Sequence, residues 1–307
     1  MSFSESDIPD LHGKVVIVTG GNSGIGKETV TVLALKGARV YLAARTKEKY
    51  EQAMNEIHTS HPATVNGEIL FLHLDLSTAN GAKAAAEDFK SKESVLHVLY
   101  NNAGVMGTPK GKISSDGYEY QWAVNVFGPF VFTYHLLSVL ERTAENAPFG
   151  TARIVNTASD GAKQAPKRGI PLDDPTVGSN ASRFECYGHS KLGTILITRQ
   201  LAQRYPNILS LAPHPGPVQS NLTRELGIPR PIMWILNHVV FKSVQYGALT
   251  QLYAGTAATI GSSHNGSFLV PLAKFEDKLP HTQCYDDEFG KRVWDWNVEA
   301  MKKAGAD

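Results

Sequence analysis

Val15-Val-Ile-Val-Thr19 runs without a break into Gly20-Gly-Asn-Ser-Gly-Ile-Gly26, and from Glu28 to Leu35 apolar residues recur at helical spacing. A short, continuous apolar run followed by a helix describes a strand covered on both faces, as in a parallel sheet. The glycines at 20, 24 and 26 suit the turn between them. They permit a tight bend, a close approach of backbone to a pyrophosphate, and packing of the helix against its strand, while free amides at the helix start face negative charge. A glycine-rich turn can also be a plain strand-to-helix connection. Its place in the first strand-helix unit of an α/β chain favours the nucleotide reading.

The same alternation continues outward from this stretch. Apolar runs at Arg39 to Ala44, Ile69 to Leu74, Val95 to Tyr100, Arg153 to Thr157 and Ile208 to Ala212 read as further strands. Helical spacing covers Lys47 to His58, Ala79 to Lys90, Tyr118 to Leu140 and Tyr187 to Arg204. Strands alternating with helices predict a doubly wound parallel sheet with helices on both faces, joined by right-handed crossovers. The pattern never restarts, so residues 1–307 read as one α/β domain of the Rossmann type. Two irregular stretches rich in Pro, Gly, Ser or Asp, about 161–185 and 217–240, follow strands and so lie at the ligand-binding end of such a sheet.

Composition narrows the function classes. Hydrophobic residues make up 42% and charged residues 19%, which fits a globular core and excludes coiled-coil or collagen-like chains. Thirty basic against 29 acidic residues give a net charge of +1, so no global field gathers nucleic acid or an anionic membrane. The two cysteines, Cys186 and Cys284, form no Cys-x-x-Cys pair and suit a reducing compartment. The acidic start, Met1 to Asp10, differs from a signal peptide, and the apolar stretch Pro231 to Phe241 is too short to span a bilayer. A cytoplasmic protein with no transmembrane segment is expected. No set of metal ligands is visible, since His58 and His61 lack a third partner.

Two further motifs carry chemistry. The second strand ends in Ala44-Arg-Thr-Lys47, with Lys49 beyond, and its first acid is Glu48. NAD-binding chains place a carboxylate near this point for the ribose, whereas arginine accepts the 2′-phosphate of NADP, so NADP(H) is predicted over NAD(H). Tyr187-Gly-His-Ser-Lys191 heads a helix, and residues at i and i+4 share a face. An ammonium near a phenol favours the phenolate and brings the tyrosine toward proton-transfer chemistry. Tyr-x-x-x-Lys alone is common by chance.

Together with Asn101-Asn-Ala-Gly104, these motifs resemble the classical short-chain dehydrogenase/reductase family from about Gly13 to Val270. Leu74-Asp-Leu-Ser77, Arg153-Ile-Val-Asn156 and His214-Pro-Gly216 extend the resemblance, and the detail is similar to the branch containing retinol dehydrogenases and the oxidoreductase domain of WW-domain proteins. The resemblance implies a catalytic set of Asn125, Ser159, Tyr187 and Lys191. Ser159 would bond the substrate oxygen, Tyr187 transfer the proton, Lys191 lower the tyrosine pKa and hold the nicotinamide ribose, and Asn125 support a water-linked proton path. Read without the family, Ser159 is a cap at a strand end and Asn125 a polar residue in a bent helix.

The resemblance also implies the cofactor contacts. Gly20, Asn22, Ser23, Gly24, Ile25 and Gly26 would hold the pyrophosphate, with Arg45 and Lys49 at the 2′-phosphate. Asp75 and Leu76 would meet the adenine, and Asn102, Ala103 and Gly104 the adenosine. Tyr187 and Lys191 would reach the nicotinamide ribose, and Pro215, Gly216, Val218 and Ser220 its carboxamide. Ser220 stands where the family often has threonine. The 161–185 insertion reads equally as a pocket lining or a solvated excursion, and Leu222, Leu226, Met233 and Trp234 look like an apolar lid. Many members pair through the two long helices, here Tyr118 to Leu140 and Tyr187 to Arg204, while the branch includes monomers.

The expected function is interconversion of a carbonyl and an alcohol on an apolar small molecule. A nucleotide-sensing regulator or a non-redox biosynthetic scaffold on the same fold is the alternative, and the complete proton machinery argues against both.

Overall fold

The strands form where continuous apolar runs allow burial on both faces, and side chains alternate between two cores. The computed structural model describes residues 3–61, 67–219 and 240–307. In β1 (Val15–Thr19), Val15 and Ile17 enter one core while Val16 and Val18 enter the other. Seven further strands follow: β2 (Arg39–Ala44), β3 (Glu68–His73), β4 (Val98–Asn101), β5 (Arg153–Asn156), β6 (Leu209–Pro213), β7 (Phe268–Val270) and β8 (Lys274–Phe275). Their order in the sheet is β3-β2-β1-β4-β5-β6-β7-β8, with β8 alone antiparallel. Strand order reverses between β1 and β4, and the crevice beyond their carboxyl ends is the ligand-binding position of such sheets.

Helices cover both faces, as the sequence reading expects. On one side lie α1 (Gly24–Leu35), α2 (Lys47–Ser60) and α6 (Val244–Thr256); on the other, α3 (Ala79–Lys92), α4 (Tyr120–Ala144), α5 (Arg183–Arg204) and α7 (Asp287–Lys303). Helix α5 begins one turn before Tyr187, where Ser182 and Glu185 form a reciprocal capping box. Within α4, Ala123–Phe127 form a π-helical turn.

The structure corrects or extends the sequence reading at four points. Residues 95–97 precede β4 rather than belong to it, because Leu96 N–H donates to the Thr143 hydroxyl and the His97 ring accepts from Val15 N–H. Second, β7, β8, α6 and α7 add to the sheet and its cover; β7 has three residues and β8 two, too short for a periodic signal. Third, among the described residues α4 is long and apolar enough to cross a membrane by composition, a feature the sequence reading did not single out, and it is mostly buried within the domain. Finally, the 161–185 insertion, read equally two ways from the sequence, is partly packed onto the domain, while Lys163, Lys167, Arg168 and Asp173 stay exposed. Ala162, Ala165, Ile170 and Val177 are buried, and the Asp174 carboxylate accepts from Thr176 N–H, Thr176 Oγ1 and Gly178 N–H.

Helix α7 lies against both α4 and α5. Trp294 packs edge-on against Phe130 at 4.9 Å, and Trp296 against Tyr118 at 5.0 Å and Trp122 at 5.8 Å. Helix α7 thus covers part of α4 and α5, while Tyr134, Ser138, Glu141 and Arg142 of α4 stay exposed.

Candidate active site

Three loops meet at the carboxyl ends of β1, β4 and β5. At the first, Gly20 adopts φ +65°, a conformation that side chains beyond glycine rarely take. A Cβ on Gly26 would stand 2.4 Å from both the Gly20 carbonyl oxygen and Asn102 Nδ2, so only glycine lets α1 start against this turn. The Asn102 side chain donates to Thr19 O at 2.8 Å, and Ala103 N–H donates to the Thr19 hydroxyl at 2.9 Å. The loop from Asn102 to Gly104 is thereby fixed onto the glycine turn.

The residues expected around the chemistry come together. Ser159 ends the β5 loop, and its hydroxyl accepts from Gly161 N–H at 3.0 Å, the cap that the plain reading foresaw. The Ser159 side chain also faces the Tyr187 phenol closely enough to favour its ionised form. Lys191 lies one turn further along α5, its Nζ 5.8 Å from the Tyr187 ring centroid and donating to Thr157 O at 2.8 Å. Asn125 sits in the π-helical turn of α4, an irregularity that recurs at functional sites. Its side chain accepts from Val105 N–H at 2.7 Å and donates to Val105 O and Ser190 Oγ, both at 2.9 Å. A cavity of about 20 Å³ lies behind it, lined among others by Asn101, Asn125, Thr133, Asn156 and Thr194.

Burial dominates the electrostatics. It pushes the Tyr187 phenol up to about 12, against a lowering hydrogen bond from Ser159, and pushes Lys191 down to about 8. The Lys191 ammonium lies over the Tyr187 ring and is itself desolvated by burial. Lys191 has three N–H donors and Thr157 O takes one.

The remaining predicted contacts are placed as follows. Asn22, Ser23, Gly24 and Ile25 form the turn and first residues of α1, where Ser23 makes no side-chain cap. Asp75 accepts from Ser77 N–H and Oγ, at 2.9 and 2.7 Å, and Leu76 is buried beneath it. Arg45 and Lys49 are exposed beyond β2, and Arg45 makes no hydrogen bond or ion pair with the described residues. Pro215 and Gly216 follow β6, and Val218 bridges Lys242 and packs with Ile25 against Gly247. Ser220 and the lid-like residues Leu222 to Trp234 lie outside the described residues. His189 points to another face, toward Gly178, and burial raises the Cys186 thiol to about 12, which suits a packing residue.

Sequence reasoning missed Thr157, Ser190 and Gln251. Thr157 was read only as a strand end, and Gln251 carries no motif.

The model of the short chain dehydrogenase family matches residues 14–171. A short-chain dehydrogenase/reductase of Aspergillus calidoustus, drtF, is 38% identical, with 96% of each chain covered. Among solved structures, a protein of Mycobacterium paratuberculosis superposes with a TM-score of 0.75 at 26% identity, covering 98% of both chains. Pseudomonas aeruginosa RhlG, solved as an NADP active-site complex, shares the fold with a TM-score of 0.66 at 24% identity, covering 86% of this chain and 96% of that one. With this glycine turn, this sheet and these matches, the chain belongs to the short-chain dehydrogenase/reductase family and is an oxidoreductase.

Proposed function

We propose that the protein is an NADP(H)-dependent reductase that interconverts a carbonyl and an alcohol on an apolar small molecule. The observation that carries this reading is the convergence of Ser159, Tyr187, Lys191 and Asn125 beside the glycine turn. The cradle fits a dinucleotide: the approach at Gly26 leaves no room for a side chain, the amides of α1 open toward the crevice end of the sheet, and Arg45 is exposed and makes no ion pair among the described residues, so it can meet a phosphate.

Gly20 to Gly26 would hold the pyrophosphate, Arg45 and Lys49 the 2′-phosphate, Asp75 the adenine, and Lys191 the nicotinamide ribose. Bound NADPH supplies the hydride. The protein supplies orientation and one proton. Tyr187, kept protonated by burial, donates that proton to the substrate oxygen. Ser159 accepts from Gly161 N–H and keeps its own O–H to donate to the same oxygen. Lys191 steadies the ribose with the donors that Thr157 leaves over. The polar cavity behind Asn125 supports a water-linked return path for the proton, since about 20 Å³ with several polar groups accommodates one water. The apolar residues of 217–240 and the resemblance to the retinol branch support an apolar substrate.

The cofactor assignment is tested by Arg45→Ala. Loss of a guanidinium–phosphate pair predicts NADPH affinity down by about ten- to a hundredfold with NADH affinity unchanged, read by titration calorimetry. An unchanged ratio of the two affinities would contradict it.

A further inference from the structure

Gln251 is a buried amide in the middle of α6, with 1% of its surface exposed. Its side chain joins three segments that are remote in sequence. Oε1 accepts from the Thr157 hydroxyl at 3.0 Å. Nε2 donates to the Thr29 hydroxyl in α1 at 2.6 Å and to Asn102 Oδ1 at 3.4 Å. The surrounding bonds fix which end of the amide is which. Thr29 donates its own proton to Ile25 O, and Asn102 spends its amide N–H on Thr19 O, so each presents only an acceptor to Gln251.

Each of the three segments serves the candidate site. The Thr157 carbonyl anchors the Lys191 ammonium. Thr29 stands one turn after the glycine turn, and Asn102 packs against Gly26. One turn earlier on the same face of α6, Gly247 lets Ile25 and Val218 approach, since a Cβ there would meet Val218 Cγ2 at 2.5 Å and Ile25 Cγ2 at 2.9 Å. The hydrogen bonds run as a chain from Ile25 through Thr29, Gln251 and Thr157 to Lys191. An apolar residue would fill this volume but leave the Thr157 hydroxyl and Asn102 oxygen unpaired in the core.

We propose that Gln251 is a positioning residue that ties the anchor of Lys191 to the cradle of the dinucleotide, so that cofactor binding and proton transfer share one geometry. This rests on the reductase reading above. Without that tie, Thr157 and the loop of Asn102 shift independently, and Lys191 no longer meets the ribose held by the glycine turn.

The test uses the full chain, with Gln251→Leu, Thr157→Val and the double variant. Calorimetry gives the dissociation constant of NADPH, and steady-state kinetics give kcat and KM for a carbonyl substrate. Gln251→Leu is expected to weaken NADPH binding and lower kcat by about tenfold each, the scale of one buried hydrogen bond, with carbonyl KM within about twofold. Thr157→Val shifts both in the same direction, and the double variant is no worse than Gln251→Leu, because both break one chain. A purely structural role lowers the unfolding temperature and leaves the binding constant and kcat of the folded protein unchanged. That result overturns the inference, as do independent, multiplying effects of the two substitutions. If Gln251→Leu does not fold, wild-type NADPH affinity in Thr157→Val overturns it alone. A wild-type chain that binds no NADPH overturns the reductase reading and this inference together, whereas binding unchanged in every variant overturns only this inference.

Discussion

The four-residue spacing of Tyr187 and Lys191 on one helix was legible in the sequence, whereas a role for Ser159 came from the family resemblance alone, since read by itself it is a cap at a strand end. Gln251 was not legible, because its partners Thr157, Asn102 and Thr29 lie 94, 149 and 222 residues away, and nothing local marks a buried amide as connected. Sequence shows that a lysine is near Tyr187 but not how deeply both are buried, and burial raises the phenol while lowering the ammonium. Burial also sets the behaviour of three histidines. His97, His189 and His214 are held down to about 4, each mainly by desolvation, and both ring nitrogens of His189 lack partners among the described residues. A folded-state pKa below the ordinary 6.5 means that the unfolded chain binds more protons between pH 6.5 and 4, so stability falls as pH drops through that window. Urea unfolding at pH 7 and pH 4.5 should show a clearly lower midpoint in acid, and His189→Gln should shrink the difference. A midpoint independent of pH over this range would contradict the burial of these rings.

At the scale of elements, long periodic helices were recovered and their ends were not, because caps and bends depend on contacts outside the helix. The capping box at Ser182 extends α5 by a turn, and the π-helical turn of α4 is set by Asn125 reaching Val105 and Ser190. Helix α7 lay beyond the stretch covered by the family resemblance, although its apolar residues at Phe289, Val293, Trp294, Ala300 and Met301 repeat at helical spacing and are buried. Trp294 is its largest anchor, 5% exposed, packed on Phe130 and under the Arg204 guanidinium at 4.8 Å. Trp294→Ala should cost about 3–5 kcal/mol in chemical unfolding, the range for emptying a buried aromatic site. A loss under about 1 kcal/mol would show that α7 is not integral to the fold.

Across the whole molecule, one mostly parallel sheet brings the glycine turn, the Asn102 loop, the β5 end and α5 to a single edge, and α6 packs behind them. The doubly wound architecture was readable from alternating apolar runs, which report burial on two faces. The packing of α7 on α4 and α5 was not, since packing between helices has no sequence period of its own. Most of 217–240, which the sequence reading took for an apolar lid, lies outside the described residues. The central claim is that this edge moves one proton in step with carbonyl reduction. The most direct test follows NADPH consumption by wild type and Tyr187→Phe over aliphatic, aromatic, terpenoid and steroidal aldehydes and ketones. The account predicts turnover by wild type on at least one apolar carbonyl, reduced by about 10²- to 10⁴-fold in Tyr187→Phe at unchanged NADPH affinity. Equal turnover by the two proteins would contradict it.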